Sequence, residues 1–78
     1  MKVTILNTQS GDWEGLFIED DLITEGHEIS RDEFLELDKK HHFWGNEIVH
    51  KTINDIDEET LSRRGAFFPK LSDLNGEY

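Results

Sequence analysis

Apolar and polar residues alternate with a period of two through the first part of the chain, and the period then lengthens to that of a helix. Lys2 to Thr8 places Val3 and Ile5 on one side and Leu6 on the other, which predicts a strand. Gln9-Ser10-Gly11-Asp12 is turn chemistry, since Gly11 tolerates positive φ and Ser and Asp side chains bond nearby backbone. Trp13 to Glu19 reads as a second strand and Leu22 to Ile29 as a third, with Asp20-Asp21 as a two-residue turn between them. That turn sets Ile18 opposite Ile23, Phe17 opposite Thr24, Leu16 opposite Glu25, Gly15 opposite Gly26 and Glu14 opposite His27. Trp13, Phe17 and Leu22 then share one face with the two glycines, and Leu16, Ile18 and Ile23 share the other. Asp21→Gly is expected to stabilise such a turn, because a type I′ turn needs positive φ at both central residues. The opposed glycines leave a gap that suits either close packing under Trp13 or Phe17 or the approach of a ligand backbone.

Ser30 opens a helix at about 31–42, with Ser30 and Glu33 as a capping box and Ile29 with Phe34 as a hydrophobic staple. Asp32 and Glu33 suit the positive end of its dipole, Lys39 and Lys40 the negative end, and Gly45 is the expected stop. Phe34, Leu37 and His41 form one stripe, with Leu35 beside it. Residues 46–56 carry two signals. Val49, Ile53 and Ile56 have helical spacing, whereas the β-branched run from Ile48 to Ile53 favours a strand near 47–54. Asp57 is the expected cap of a short helix at 57–64, with Ile56 and Leu61 as its staple and Gly65 as its end. Pro69 resists a further helix, and Asn75 to Tyr78 is expected to fray. The pattern predicts a single α+β domain over 1–78: a small antiparallel β-meander, one main helix, a fourth strand and a short C-terminal helix. Phe34, Leu35, Leu37, Ile53 and Leu61 are the expected core.

Composition narrows the functional classes. The chain has 78 residues, 35% of them apolar, and no cysteine, which excludes a disulfide staple and a cysteine zinc site. The longest apolar run, Leu16-Phe17-Ile18, is far too short to span a membrane, and the expected location is the cytoplasm. The formal net charge is −10, and residues 12–38 alone hold 11 acidic residues against the single base Arg31, so the rest of the chain is neutral. Such a charge disfavours nucleic acid and anionic membrane as direct partners and favours a cationic protein surface.

The string from Asp12-Trp13-Glu14-Gly15-Leu16-Phe17-Ile18 through Leu22-Ile23 to Glu25-Gly26-His27-Glu28-Ile29 resembles small uncharacterised bacteriophage proteins with an Asp-Trp-x-Gly-Leu hairpin motif. Their later acidic helix ending in Gly, with a following Pro and a Leu-x-Asp-Leu-like tail, is similar to Asp57–Arg64, Gly65, Pro69 and Leu71-Ser72-Asp73-Leu74. This chain departs at the turn, with Asp21 where Gly is expected. The resemblance covers about two-thirds of the chain. It implies a phage setting, in which small acidic proteins often act on host proteins, and it transfers no catalytic residue.

Candidate chemistry is sparse. Adjacent His41 and His42 point about 100° apart on a helix and do not readily chelate one ion. With His27 and His50 they read as surface histidines, and no metal or cofactor is expected. No phosphate-cradling glycine loop, nucleophile elbow or catalytic Ser/His/Asp order is present, so no catalysis is expected. Lys39-Lys40-His41-His42-Phe43-Trp44 suits either a phosphate-and-base site or a helix end with dipole-matched lysines and core aromatics. The acidic excess suits either a solvated face or a surface that imitates nucleic-acid phosphates and binds a basic host or defence protein. On the second reading the partner-binding residues are Glu14, Glu19, Asp20, Asp21, Glu25, Glu28, Asp32 and Glu36. In the predicted hairpin Glu14, Asp21 and Glu25 share one face, and Glu19 and Glu28 the other. The alternative is an interaction module that self-assembles or binds an apolar groove through exposed Trp13, Phe17 or Trp44.

Overall fold

The computed structural model describes residues 2–43 and 47–74. The Gly45 stop, Trp44 and the expected fraying of Asn75 to Tyr78 lie outside the described residues. The elements are β1 (Lys2–Asn7), β2 (Glu14–Ile18), β3 (Asp21–Gly26), α1 (Arg31–His41), β4 (Glu47–Thr52), α2 (Asp55–Arg64) and a 3₁₀ turn at Leu71–Asp73. The sheet order is β3-β2-β1-β4. The first three strands pair antiparallel, as the meander requires, but β4 lies parallel to β1 and makes the sheet mixed. The crossover through α1 is the cause: a helix between β3 and β4 brings the chain back, so β4 can run in the direction of β1. The β-branched signal prevails over the helical spacing at 47–52. Ile56, the third member of that spacing, is 65% exposed.

The hairpin departs from the expected register. Glu14 pairs with Gly26, Gly15 with Glu25 and Leu16 with Thr24, and the pairing then jumps to Phe17–Leu22 and Ile18–Asp21. Ile23 is the extra residue of a β-bulge. The turn residues are Glu19 and Asp20 rather than Asp20 and Asp21, and Glu19 takes the positive φ of 53°. Asp21 instead begins β3. The cause is tertiary. The Asp20 carbonyl accepts from Leu71 N at 2.9 Å, and its carboxylate takes Ser72 N at 2.8 Å and Ser72 Oγ at 2.9 Å. Asp21 pairs with the Lys70 ammonium and bridges the Lys70 backbone. These contacts with the C-terminal segment fix both residues, so local turn preference does not decide the register. The bulge nonetheless keeps Leu22 packed on the side of Phe17 and Ile23 on the side of Leu16.

Both faces of the sheet are covered. Leu6, Phe17, Ile53, Leu61 and Phe67 form one core, which joins α2 and the C-terminal segment to the sheet. Val3, Leu16 and Phe43 form the other, against which Phe34 and Leu37 of α1 pack. Ile53 and Leu61 are buried as expected, but Leu35 is 45% exposed, because the narrow stripe of α1 turns it outward. Gly15 faces Glu25 rather than Gly26, so the expected gap between opposed glycines is absent. A Cβ at Gly15 would lie 2.9 Å from Phe67 Cδ2, whereas one at Gly26 would meet nothing within 4 Å. Gly15 therefore serves close packing under the Phe67 ring.

Ser30 caps α1, its Oγ accepting from Glu33 N at 3.1 Å. The Glu33 carboxylate accepts instead from Thr24 Oγ1 at 2.8 Å, which ties the helix start to β3. The helix closes at His42, in a left-handed conformation with φ 55°. The cap of α2 is Asn54, not Asp57. Asn54 Oδ1 accepts from Asp57 N at 2.9 Å, and Asn54 Nδ2 donates to Asp57 Oδ2 at 2.7 Å. This reciprocal pair uses Asp57 in the first turn and buries it, so the helix starts at Asp55. The expected Ile56–Leu61 staple is lost because Ile56 points to solvent. Gly65, with φ 75°, ends α2 as expected.

Candidate functional site

The eight acidic candidates divide into carboxylates that this chain uses itself and carboxylates that it leaves to solvent. Glu14 Oε2 accepts from Ile29 N at 3.1 Å, and its Oε1 lies 3.4 Å from Asn7 Nδ2. It thereby ties β1, β2 and the start of α1 together. Glu25 Oε2 accepts from Phe67 N at 3.0 Å and anchors the C-terminal segment to β3. Glu19 Oε1 accepts from Lys2 N at 3.0 Å, closing the start of β1 onto the hairpin turn. Asp20 and Asp21 hold Ser72 and Lys70. The structure therefore does not set these five side by side as one docking face. Glu14 reaches toward α1 and Glu25 toward Phe67, so the two lie on opposite faces of the hairpin rather than sharing one.

Glu28, Asp32 and Glu36 are different. All three are exposed. Among the described residues Glu28 and Asp32 engage no side-chain hydrogen bond or ion pair, and Glu36 has only a surface contact with Lys39 at 3.7 Å. Asp32 and Glu36 are one turn apart and neighbours on α1. Asp12 joins this group, although its turn composition gave no sign of it. It is exposed, and its carbonyl lies 3.1 Å from Nδ1 of His27, the residue before Glu28. Asp12 and Glu28 thus lie near the open end of the hairpin, and Asp32 and Glu36 on the exposed side of α1.

Hydrogen bonding to a neutral amide does not cancel a charge. Glu14, Asp20 and Glu25 still contribute to the long-range field, but each already spends at least one carboxylate oxygen on a contact within the chain, which leaves it less available to a partner. Asp21 is the exception, being neutralised by Lys70. The hydrogen bond and charge of Asp21 raise the Lys70 ammonium pKa above its ordinary 10.5.

No protein-family model, curated protein or solved structure matches this chain.

Along the same helix runs an open groove of about 510 Å³, lined by Ile29, Arg31, Phe34 and Leu35. The aromatic candidates are less available than their spacing suggested. Phe17 is fully buried, and Trp13 is half-buried with its ring 4.7 Å from that of His27 in an edge-to-face arrangement. Phe43 is also fully buried beneath α1, where it meets Phe34 at 5.2 Å, and so cannot stack on a base. Among the described residues no group of three or more His, Cys, Asp or Glu is placed to hold a metal ion. Among them, too, no helix is long and apolar enough to cross a membrane.

Proposed function

We propose that this protein is a non-catalytic binding protein that occupies a cationic surface on a nucleic-acid-binding partner and so inhibits or redirects it. The observation that carries this reading is the set of exposed, uncommitted carboxylates at Asp12, Glu28, Asp32 and Glu36, on a chain of net charge −10. A field of that size speeds encounter with a basic groove, and free carboxylates supply the close contacts once the surfaces meet. The resemblance to small phage proteins makes a host nuclease, polymerase or defence protein the partner class, met in the host cytoplasm.

The test is capture of partners from host lysate at low and high salt, with two charge-reversal pairs of equal net effect. Glu28→Lys with Glu36→Lys is expected to abolish capture that Glu59→Lys with Asp73→Lys leaves largely intact, and high salt is expected to weaken native capture. Equal effects of the two pairs would reduce the role of the carboxylates to bulk acidity.

A second reading rests on Leu35 and the groove beside it. An apolar patch of this kind can receive a partner side chain, with the carboxylates as its rim. Salt-insensitive capture that Leu35→Asp abolishes would favour this reading over charge mimicry.

A further inference from the structure

The two edges of the sheet are treated differently. The outer edge of β3 is closed by the C-terminal segment: Leu22 N donates to Pro69 O at 3.0 Å, and Asp21 bridges Lys70. The outer edge of β4 has no such cover among the described residues. Ile53 N donates to Asn7 O at 2.9 Å, so the odd-numbered residues of this strand direct their backbone groups at β1. Alternation then turns the N–H and C=O groups of Ile48, His50 and Thr52 outward, and an open row of this kind is a template for another strand.

We propose that β4 pairs antiparallel with β4 of a second copy of this chain, joining two four-stranded sheets into one across a twofold axis at Val49. The proposal is independent of the acidic-surface reading. Charge complementarity selects both the occupant and the register. Antiparallel pairing must match outward-facing residues with outward-facing residues, which restricts the alignments. With Ile48 opposite His50 of the second copy, Val49 meets its own equivalent and Glu47 meets Lys51 twice. Those charge pairs occupy the non-hydrogen-bonded positions, where side chains approach most closely. The alignment that instead centres on His50 sets two histidines against each other and leaves Glu47 opposite Ile53. Glu47–Thr52 also carries one acidic and one basic residue, a neutral strip on a chain of net charge −10, so the edge is where two copies repel least. Ile48, 39% exposed, gains cover in this pairing. The paired strip is short, so the dimer is expected to be weak, with Kd on the order of 10 µM to 1 mM.

Sedimentation of the purified 78-residue chain across that range tests this. Native protein is expected to shift from monomer to dimer. Glu47→Lys is expected to weaken association about tenfold, because it sets two like-charge pairs across the axis. It does so while lowering net repulsion, which on its own would strengthen association. Lys51→Glu is expected to weaken it similarly, and the double exchange Glu47→Lys with Lys51→Glu to restore it. His50→Pro removes an outward N–H without touching a backbone β1–β4 hydrogen bond, although it also loses the contact of the His50 ring with Asn7 Oδ1, and it is expected to abolish the dimer, with circular dichroism reporting the intact monomer. A monomer throughout the range, or association that Glu47→Lys leaves equal or tighter, would overturn the proposal. Partner capture by the Glu28 and Glu36 variants is a separate readout, so failure of one proposal does not decide the other.

Discussion

Gly15→Ala tests whether the hairpin and the C-terminal segment are locked together by close packing. The added methyl would stand 2.9 Å from Phe67 Cδ2 and 3.0 Å from Cγ, where ordinary contacts begin near 3.4 Å. Phe67 cannot simply withdraw. Its ring is buried and packs edge-to-face on Phe17 at 6.1 Å. Its backbone N is held by Glu25 at 3.0 Å. Overpacking of this kind costs about 1–3 kcal/mol. Alanine returns about 0.5–1 kcal/mol by restricting the unfolded chain. Taken at the middle of the two ranges, the net expectation is a loss of about 1 kcal/mol, or a melting temperature lower by roughly 4–8 °C for a domain of this size. Thermal and urea melts followed by circular dichroism measure it, with an unchanged urea slope as the sign that folding is still two-state. In a Phe67→Leu background the clash is relieved, and the same substitution should become neutral or stabilising, a coupling that a double-mutant cycle reads directly. A neutral or stabilising Gly15→Ala in the native background would refute the close-packing reading of this glycine.

Ser30→Ala should destabilise by about 1 kcal/mol in the same melts, through loss of the Oγ acceptor for Glu33 N. Asp21→Gly should also destabilise, reversing the expectation from turn chemistry, because Asp21 starts a strand and holds Lys70 rather than filling a positive-φ position. A gain in melting temperature would show that the hairpin turn lies one residue later. Lys70 has its pKa raised by Asp21, so the stabilisation from this pair is complete below the ordinary lysine value and fades as pH climbs through the raised one. An NMR titration of the Lys70 side chain should place its midpoint above the ordinary lysine value, and Asp21→Asn should lower it.

The elements that local pattern controls were legible in the sequence. The alternation at Val3, Ile5 and Leu6, the faces of Phe17 and Leu16, the Ser30 cap and the Gly65 stop all depend on neighbours within a turn or a strand, and each stands as expected. What local pattern missed depends on contacts from afar. The hairpin register is set by Leu71, Ser72 and Lys70, which no hairpin rule can anticipate. Whether β4 joins the sheet beside β1 or β3 likewise depends on the path of α1 rather than on the strand's own residues. The candidate interface suffered in the same way. A carboxylate that binds a distant amide looks, in sequence, like one left to solvent, so Glu14 and Glu25 could not be told from Glu28 and Asp32. Asp12 was passed over because Gln9-Ser10-Gly11-Asp12 explains itself as turn chemistry. The narrow stripe of Phe34, Leu37 and His41 on α1 was legible, but Leu35 was expected in the core, and no local signal showed that it and the groove beside it stay open.

The most direct test of an acidic surface that takes the place of nucleic acid is displacement. A fluorescent duplex bound to the captured basic partner is titrated with this protein, and the release of duplex is followed by anisotropy at fixed low salt. The native chain should displace the duplex fully, and the triple reversal Glu28→Lys, Asp32→Lys and Glu36→Lys should fail to do so at concentrations at least tenfold higher, given that each lost contact of this kind costs on the order of 0.5–1 kcal/mol. Duplex that stays bound while the native protein binds the same partner, or displacement that the triple reversal leaves unchanged, would contradict it.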